Sequence, residues 1–276
     1  MGNYPTFKSM KKIFKILIFT DLDGSLLHRD TFKFDEIKDY LKQLLSKGIF
    51  IIPNTSKTEK EILEFSNELG SSLPYICENG AAINGLDLLN ADLPKELILS
   101  REKDNLLNIF KNIVPINIQN KCKWLSEMDK KNQSLILGLE ENKIKMALDR
   151  KYTIPLIFKG TKNEKNQLAK IIKNEGLFLQ EGGRVINLTD KVNKAKAFQV
   201  FVRFYKKYQK NIKTIAVGDN YNDLDMLKIS DYPCLVFNDQ FTLDEIPIND
   251  LIITNKPSPE GWADVIKMAL VKINKN

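Results

Sequence analysis

A short apolar run that ends in two carboxylates constrains this chain more than any other feature. Ile16-Leu17-Ile18-Phe19 reads as a strand covered on both faces, and Asp21-Leu22-Asp23-Gly24-Ser25 follows almost at once. Ile37, Tyr40, Leu41, Leu44 and Leu45 then fall on one helical face, predicting a helix over 35–47 that Asp35 starts and Gly48 stops. A second strand is expected from Ile49 to Ile52. A second helix should open on the capping box Thr58-x-x-Glu61 and close at Gly70. Tyr75-Ile76-Cys77 predicts a third strand. Alternation of this kind implies an α/β fold with a doubly wound parallel sheet.

From about Asn84 to Thr189 the rhythm breaks into more polar sequence. Helices are expected around 105–114 and 163–174, and weaker strands near 155–158 and 185–188. The alternation resumes with a helix over 194–208, a strand at Thr214-Ile215-Ala216-Val217, and a last helix for which Ser258 is the N-cap and Pro259 the first position. Its apolar face holds Trp262, Val265, Ile266, Ala269 and Leu270. The organisation read from this is a core of residues 1–83 and 190–276 carrying an inserted α+β domain over 84–189.

Composition narrows the chemistry. The 276 residues are 43% hydrophobic and carry a net charge of +7, but the basic residues are spread along the chain. With no arginine-rich cluster or aromatic-interleaved stripe, nucleic-acid binding is not expected. His28 is the single histidine, which excludes histidine-rich metal sites and argues against a Ser-His-Asp apparatus. Cys77, Cys122 and Cys234 are widely spaced and odd in number, as in a reducing compartment. Lys8, Lys11, Lys12 and Lys15 precede an apolar run too short for a secretory core, Met1-Gly2 with Thr6 matches only a loose myristoylation pattern, and no stretch reaches membrane-span length. The expectation is a cytoplasmic protein without a membrane partner.

Four segments carry candidate chemistry. Two carboxylates at i and i+2 just past a buried strand suit a hard divalent cation, although Asp21-x-Asp23-Gly24 alone fits a capped turn equally well. Asn54-Thr55-Ser56-Lys57-Thr58 places hydroxyls and N–H groups at a helix start, fit for a phosphate oxygen or for plain capping. Lys194, in Lys191-Val192-Asn193-Lys194-Ala195-Lys196-Ala197, can balance an acidic cluster or lie on the surface. Gly218-Asp219-Asn220-Tyr221-Asn222-Asp223 supplies further carboxylates after a strand. Each is ambiguous alone; their order along one chain favours a joint site.

These four segments, in this order, resemble the signature of the haloacid dehalogenase superfamily, and the insertion lies where its second cap class carries one. Thr55-Ser56-Lys57-Thr58, Glu78-Asn79-Gly80-Ala81-Ala82-Ile83, Leu125-Ser126-Glu127-Met128, Arg150-Lys151-Tyr152-Thr153-Ile154-Pro155, Gly182-Gly183-Arg184 and Ser258-Pro259-Glu260-Gly261-Trp262 are similar to the mannosyl-3-phosphoglycerate phosphatase family. Ser25 and Ala195 depart from the commoner Thr and Gly. The resemblance implies an Mg2+-dependent phosphatase acting on a small anionic phosphorylated sugar acid. Asp21 would be the nucleophile, Asp23 the acid and base, and Thr55 and Lys194 the phosphoryl holders. Asp21, Asp23 (through its carbonyl), Asp219, Asn222 and Asp223 would form the metal shell. Ser56, Lys57, Asn79, Arg184 and Glu260 are the candidate substrate contacts. A glucosyl ester, a broader Cof-type sugar phosphate, a phosphomutase and a non-catalytic phosphate sensor are the alternatives.

Overall fold

The computed structural model describes residues 15–182, 184–239 and 246–275. Met1, Gly2, Thr6, Lys8, Lys11, Lys12 and Gly183 lie outside the described residues. The first part runs β1 (Lys15–Thr20), α1 (Lys38–Ser46), β2 (Phe50–Pro53), α2 (Glu59–Leu69), β3 (Tyr75–Cys77), β4 (Ala82–Asn84) and β5 (Glu96–Ile98). Next come α3 (Lys103–Ile113), α4 (Ile116–Gln119), β6 (Cys122–Trp124), α5 (Lys130–Leu137), α6 (Glu141–Ala147), β7 (Ile154–Phe158), α7 (Lys162–Lys173), β8 (Leu177–Glu181) and β9 (Ile186–Asp190). The chain ends with α8 (Lys194–Lys206), β10 (Ile212–Gly218), α9 (Leu224–Lys228), β11 (Tyr232–Leu235), β12 (Ile252–Ile253) and α10 (Glu260–Lys275).

Five strands form a parallel sheet in the order β12-β11-β10-β1-β2. Successive residues of β1 face opposite sides of it. Ile18 joins Leu41, Ile62, Trp262 and Ile266, which come from α1, α2 and α10. Leu17 and Phe19 join Phe198, Phe201 and Met226, which come from α8 and α9. Burying each such side chain contributes roughly 1.5–3 kcal/mol, so both faces must be covered. The Phe19 ring lies 4.2 Å from Phe198 and 5.1 Å, edge-on, from Phe201. That packing seats α8, and therefore its first residue Lys194, against the end of β1.

Several local expectations are corrected. A short 3-10 turn over Asp35–Ile37 precedes α1, and Asp35 caps nothing, because it lies inside that turn after Phe34. Residues Tyr75–Cys77 do not extend the parallel ladder. They pair antiparallel with β4, which pairs with β5, and meet the chain just after β2 through a parallel bridge between Asn54 and Ile76. The stretch 84–99, grouped by sequence with the insertion, therefore stays beside the parallel sheet, and Leu86 and Leu93 bury with Phe19. The final helix begins at Glu260, with the Pro259 carbonyl accepting from Trp262 and Ala263. The α2 capping box and the left-handed Gly70 stand as expected.

Residues 101–190 form a separate layer. An antiparallel sheet in the order β6-β7-β9-β8 packs one face on α3 and α7 through Phe110, Leu156, Leu168, Ile172 and Leu188. Asn187, on the opposite face, looks into the cleft below. Among the described residues no helix is long and apolar enough to cross a membrane.

Candidate active site

The functional side chains stand at the carboxyl ends of β1 and β10, where the chain leaves the sheet in opposite directions. Asp21 N–H donates to the Val217 carbonyl at 2.9 Å, continuing the β1–β10 register by one residue. The Thr20 hydroxyl donates to the Asp21 carbonyl at 2.6 Å and accepts from Trp262 Nε1 at 2.9 Å. The strand end is thus fixed from behind. Gly24 turns the chain at φ +79°, and a Cβ there would come within 2.6 Å of an Asp219 oxygen. Only glycine permits that approach. Gly218 is likewise close-packed, its hypothetical Cβ lying 2.3 Å from Asp223 Cβ.

Lys194 is buried at 2% exposure, with its Nζ 2.9 Å from Asp21 Oδ1 and 2.8 Å from Asp223 Oδ1. Burial lowers its pKa, but the two carboxylates outweigh that and raise it, so the ammonium stays charged. Asn193 caps the helix by accepting from Lys196 N–H, and the Asn54 amide donates to the Lys194 carbonyl at 3.0 Å. Asp223 Oδ2 accepts from the N–H groups of Asp219 and Asn220. Asp219 accepts from the Ser25 hydroxyl at 2.9 Å, Arg29 at 2.6 Å and the Asn238 amide at 3.1 Å.

Asp21, Asp219 and Asp223 are all buried, and their carboxylate oxygens lie within 4.8 Å of one another. Burial, with Asp223 and Asp21 adding, pushes Asp219 up to about 7 against the opposing pull of Arg29. Lys194 and Arg29 leave one of the three negative charges unbalanced, and an all-oxygen donor set is what a hard divalent ion takes. The residues present fit such an ion.

Asp23 faces a cleft of about 290 Å³ between the sheet ends and the layer of residues 101–190, and its side chain is 39% exposed to that space. Lys57 Nζ contacts Asp23 Oδ1 at 3.0 Å and Glu61 Oε1 at 3.3 Å, and sits 4.9 Å from the centre of the Phe32 ring. Desolvation raises the Asp23 pKa, Asp21 and Glu61 add to it, and Lys57 opposes. Asp23 therefore holds its proton to higher pH than an ordinary aspartate.

The expected residues divide into three groups. Asp21, Asp23, Ser56, Lys57, Arg184, Asp219 and Asn222 line the cleft. Lys194, Asp223 and Thr55 form the layer behind it; the Thr55 hydroxyl accepts from Lys57 N–H at 3.3 Å. Asn79 and Glu260 do not line the cleft. Asn79 borders a neighbouring pocket beside Lys194, and Glu260 is exposed at the start of α10. Arg184 donates to the carbonyls of Leu137 and Arg29 and lies 5.1 Å from the Phe32 ring centre, so it bridges the two layers across the cleft.

Sequence reading missed Arg29 and Arg150, which also line the cleft. A signal existed: the chain has only five arginines among 42 basic residues, and three of the five border this one space.

The haloacid dehalogenase-like hydrolase family profile matches residues 18–266. A glucosyl-3-phosphoglycerate/mannosyl-3-phosphoglycerate phosphatase of Persephonella marina is 29% identical over 94% of this chain and 99% of its own length. A protein of the same description from Methanococcoides burtonii is 30% identical over 95% and 99%. A solved haloalkanoate-superfamily phosphatase from Bacteroides thetaiotaomicron superposes with a TM-score of 0.67 at 17% identity, covering 97% of this chain and 98% of that one.

Proposed function

Because the chain belongs to the haloacid dehalogenase-like hydrolase family, we propose that it hydrolyses mannosyl-3-phosphoglycerate to mannosylglycerate and phosphate. The observation that carries this reading is the pairing of a buried Asp21–Lys194–Asp219–Asp223 cluster with an arginine-bordered cleft directly above it. The substrate is anionic at both its phosphate and its carboxylate and neutral at its sugar. A phosphoryl group fits the cluster, and planar guanidinium groups suit a carboxylate. The names of the two relatives support the glucosyl ester as a second substrate.

In this mechanism an Asp21 carboxylate oxygen attacks phosphorus and the ester P–O bond breaks. Asp23 gives its proton to the departing glycerate oxygen, for which its raised pKa prepares it. Water then attacks the aspartyl-phosphate, Asp23 takes the water's proton, and phosphate leaves with the Asp21 carboxylate restored. Lys194 and Thr55 hold phosphoryl oxygens. Asp21, the Asp23 carbonyl and Asp219, supported by Asp223 and Asn222, would hold a magnesium ion, which would supply charge neutralisation. Residues 101–190 act as a cap that excludes water and bears on the sugar acid through Arg150 and Arg184.

Phosphate release tests the proposal on a panel of mannosyl- and glucosyl-3-phosphoglycerate, mannose 6-phosphate, 3-phosphoglycerate and flavin mononucleotide. The glycosyl esters should lead by about 100-fold or more in kcat/KM. Equal turnover of free sugar phosphates would overturn the substrate assignment. Asp21→Asn should lose about 10⁴-fold in kcat, and retained metal-dependent turnover would rule out the covalent step.

A further inference from the structure

Glu78 follows β3 in a left-handed conformation, φ +46°, and is 1% exposed. A buried carboxylate is costly unless its acceptor sites are filled. Here they are filled by the cap. Lys151 N–H donates to Oε1 at 2.8 Å. Tyr152 N–H at 3.1 Å, Thr153 N–H at 2.8 Å and the Thr153 hydroxyl at 2.6 Å all converge on Oε2. The same turn grips the loop after β2 through its own backbone: Glu78 N–H donates to the Lys57 carbonyl and Asn79 N–H to the Thr55 carbonyl, both at 2.9 Å. One turn thus fastens the loop of Thr55 to Lys57 with its peptide groups and the cap with its side chain.

The fastened cap segment begins with a cleft residue. Arg150 Nη1 donates to the Ser56 carbonyl at 3.1 Å and to the Thr153 hydroxyl at 2.9 Å, so the hydroxyl that Glu78 holds also aims the guanidinium. We propose that Glu78 is a positioning residue that pins cap residues 151–153 to the loop of Thr55 to Lys57 and thereby places Arg150 at the wall of the cleft. The assignment rests on the phosphatase reading above and extends it to how the non-phosphate end of the ester is held. The carboxylate is specific to the task. A glutamine amide has one acceptor oxygen, and its NH2 would face a peptide N–H, donor against donor.

The test uses Glu78→Gln, Arg150→Gln and the double variant in the full-length protein, with mannosyl-3-phosphoglycerate and with p-nitrophenyl phosphate, whose small ring has no anionic group beyond the phosphate. Glu78→Gln should raise KM for the glycosyl ester about ten-fold with little change in kcat. Turnover of p-nitrophenyl phosphate should stay within about three-fold of wild type. If Glu78 acts through Arg150, the double variant is no worse than the poorer single. Multiplying effects, or an equal loss on both esters, would overturn the proposal. Hydrogen exchange at the amides of 151–153 provides an arm independent of substrate. Exchange faster in Glu78→Gln than in wild type supports the pin, and unchanged exchange refutes it, even if no glycosyl ester is turned over and the phosphatase assignment itself fails. Should Glu78→Gln not fold, Thr153→Val removes the hydroxyl that links Glu78 to Arg150 and should show the same two effects.

Discussion

Lys194 shows how much of the site one side chain holds together. It is the first residue of α8, where a cation opposes the helix dipole, and it is out of water; only Asp21 and Asp223 make that position tolerable. Lys194→Met should cost about 3–5 kcal/mol in metal-free buffer, because it leaves buried carboxylates without a counter-charge. Added magnesium should then raise the Tm of the variant more than that of wild type. An equal increment for both would mean that ion and ammonium do not share the same carboxylates. Asp21 and Asp219 could be singled out in sequence only jointly, since each acidic turn alone fits a cap and the order of the four segments is what favoured a shared site. Arg29 and Arg150 carried only the weak signal of scarcity, and folding alone brings them to one cleft. Glu260 failed for the opposite reason: its neighbours Pro259 and Trp262 bury, but the first turn of α10 points its side chain to solvent.

At the scale of elements, the joints matter more than the strands they connect. Arg101 and Asp190 stand where the chain enters and leaves the layer of residues 101–190, joined by Nε and Nη2 of Arg101 at 2.9 Å each and by its N–H at 2.9 Å. Burial raises the Asp190 pKa, but the bonds from Arg101 and the Lys191 N–H outweigh it and hold the carboxyl below its usual range. A carboxyl lowered in the folded state contributes stability that is complete above the unfolded pKa and lost as pH falls through the folded one. The contribution therefore persists above about pH 4 and vanishes in stronger acid. Arg101→Gln should cost about 1 kcal/mol near neutrality, allowing for the partly exposed guanidinium, and progressively less as the pH falls below about 4; a urea-unfolding series across that range checks this. Helix ends with side-chain signals, such as Thr58 with Glu61 and Gly70, were readable in advance. The pairing of Tyr75–Cys77 was not, because a three-residue apolar run carries no information about whether its neighbour is parallel or antiparallel.

For the molecule as a whole, the rhythm read from sequence breaks near Asn84, whereas antiparallel pairing already begins at Tyr75. It continues through β5, and the layer of residues 101–190 begins only after that strand. The rarity of arginine has a consequence at this scale as well. Outer lysines form an exchangeable coat, whereas the cleft relies on Arg29, Arg150 and Arg184 with the enclosed Lys57 and Lys194. A reagent that acetylates accessible amines would strip charge from the coat and leave the guanidinium groups unreacted. Mild acetylation, mapped by mass spectrometry, should therefore modify many lysines while KM for the glycosyl ester stays within about three-fold, since exposed ion pairs contribute little. A large rise in KM with Lys57 and Lys194 unmodified would show that the coat itself steers the substrate. The protein thus keeps two separate stocks of positive charge, an outer one that an acylating reagent can reach and an inner one of guanidinium groups and enclosed ammonium groups.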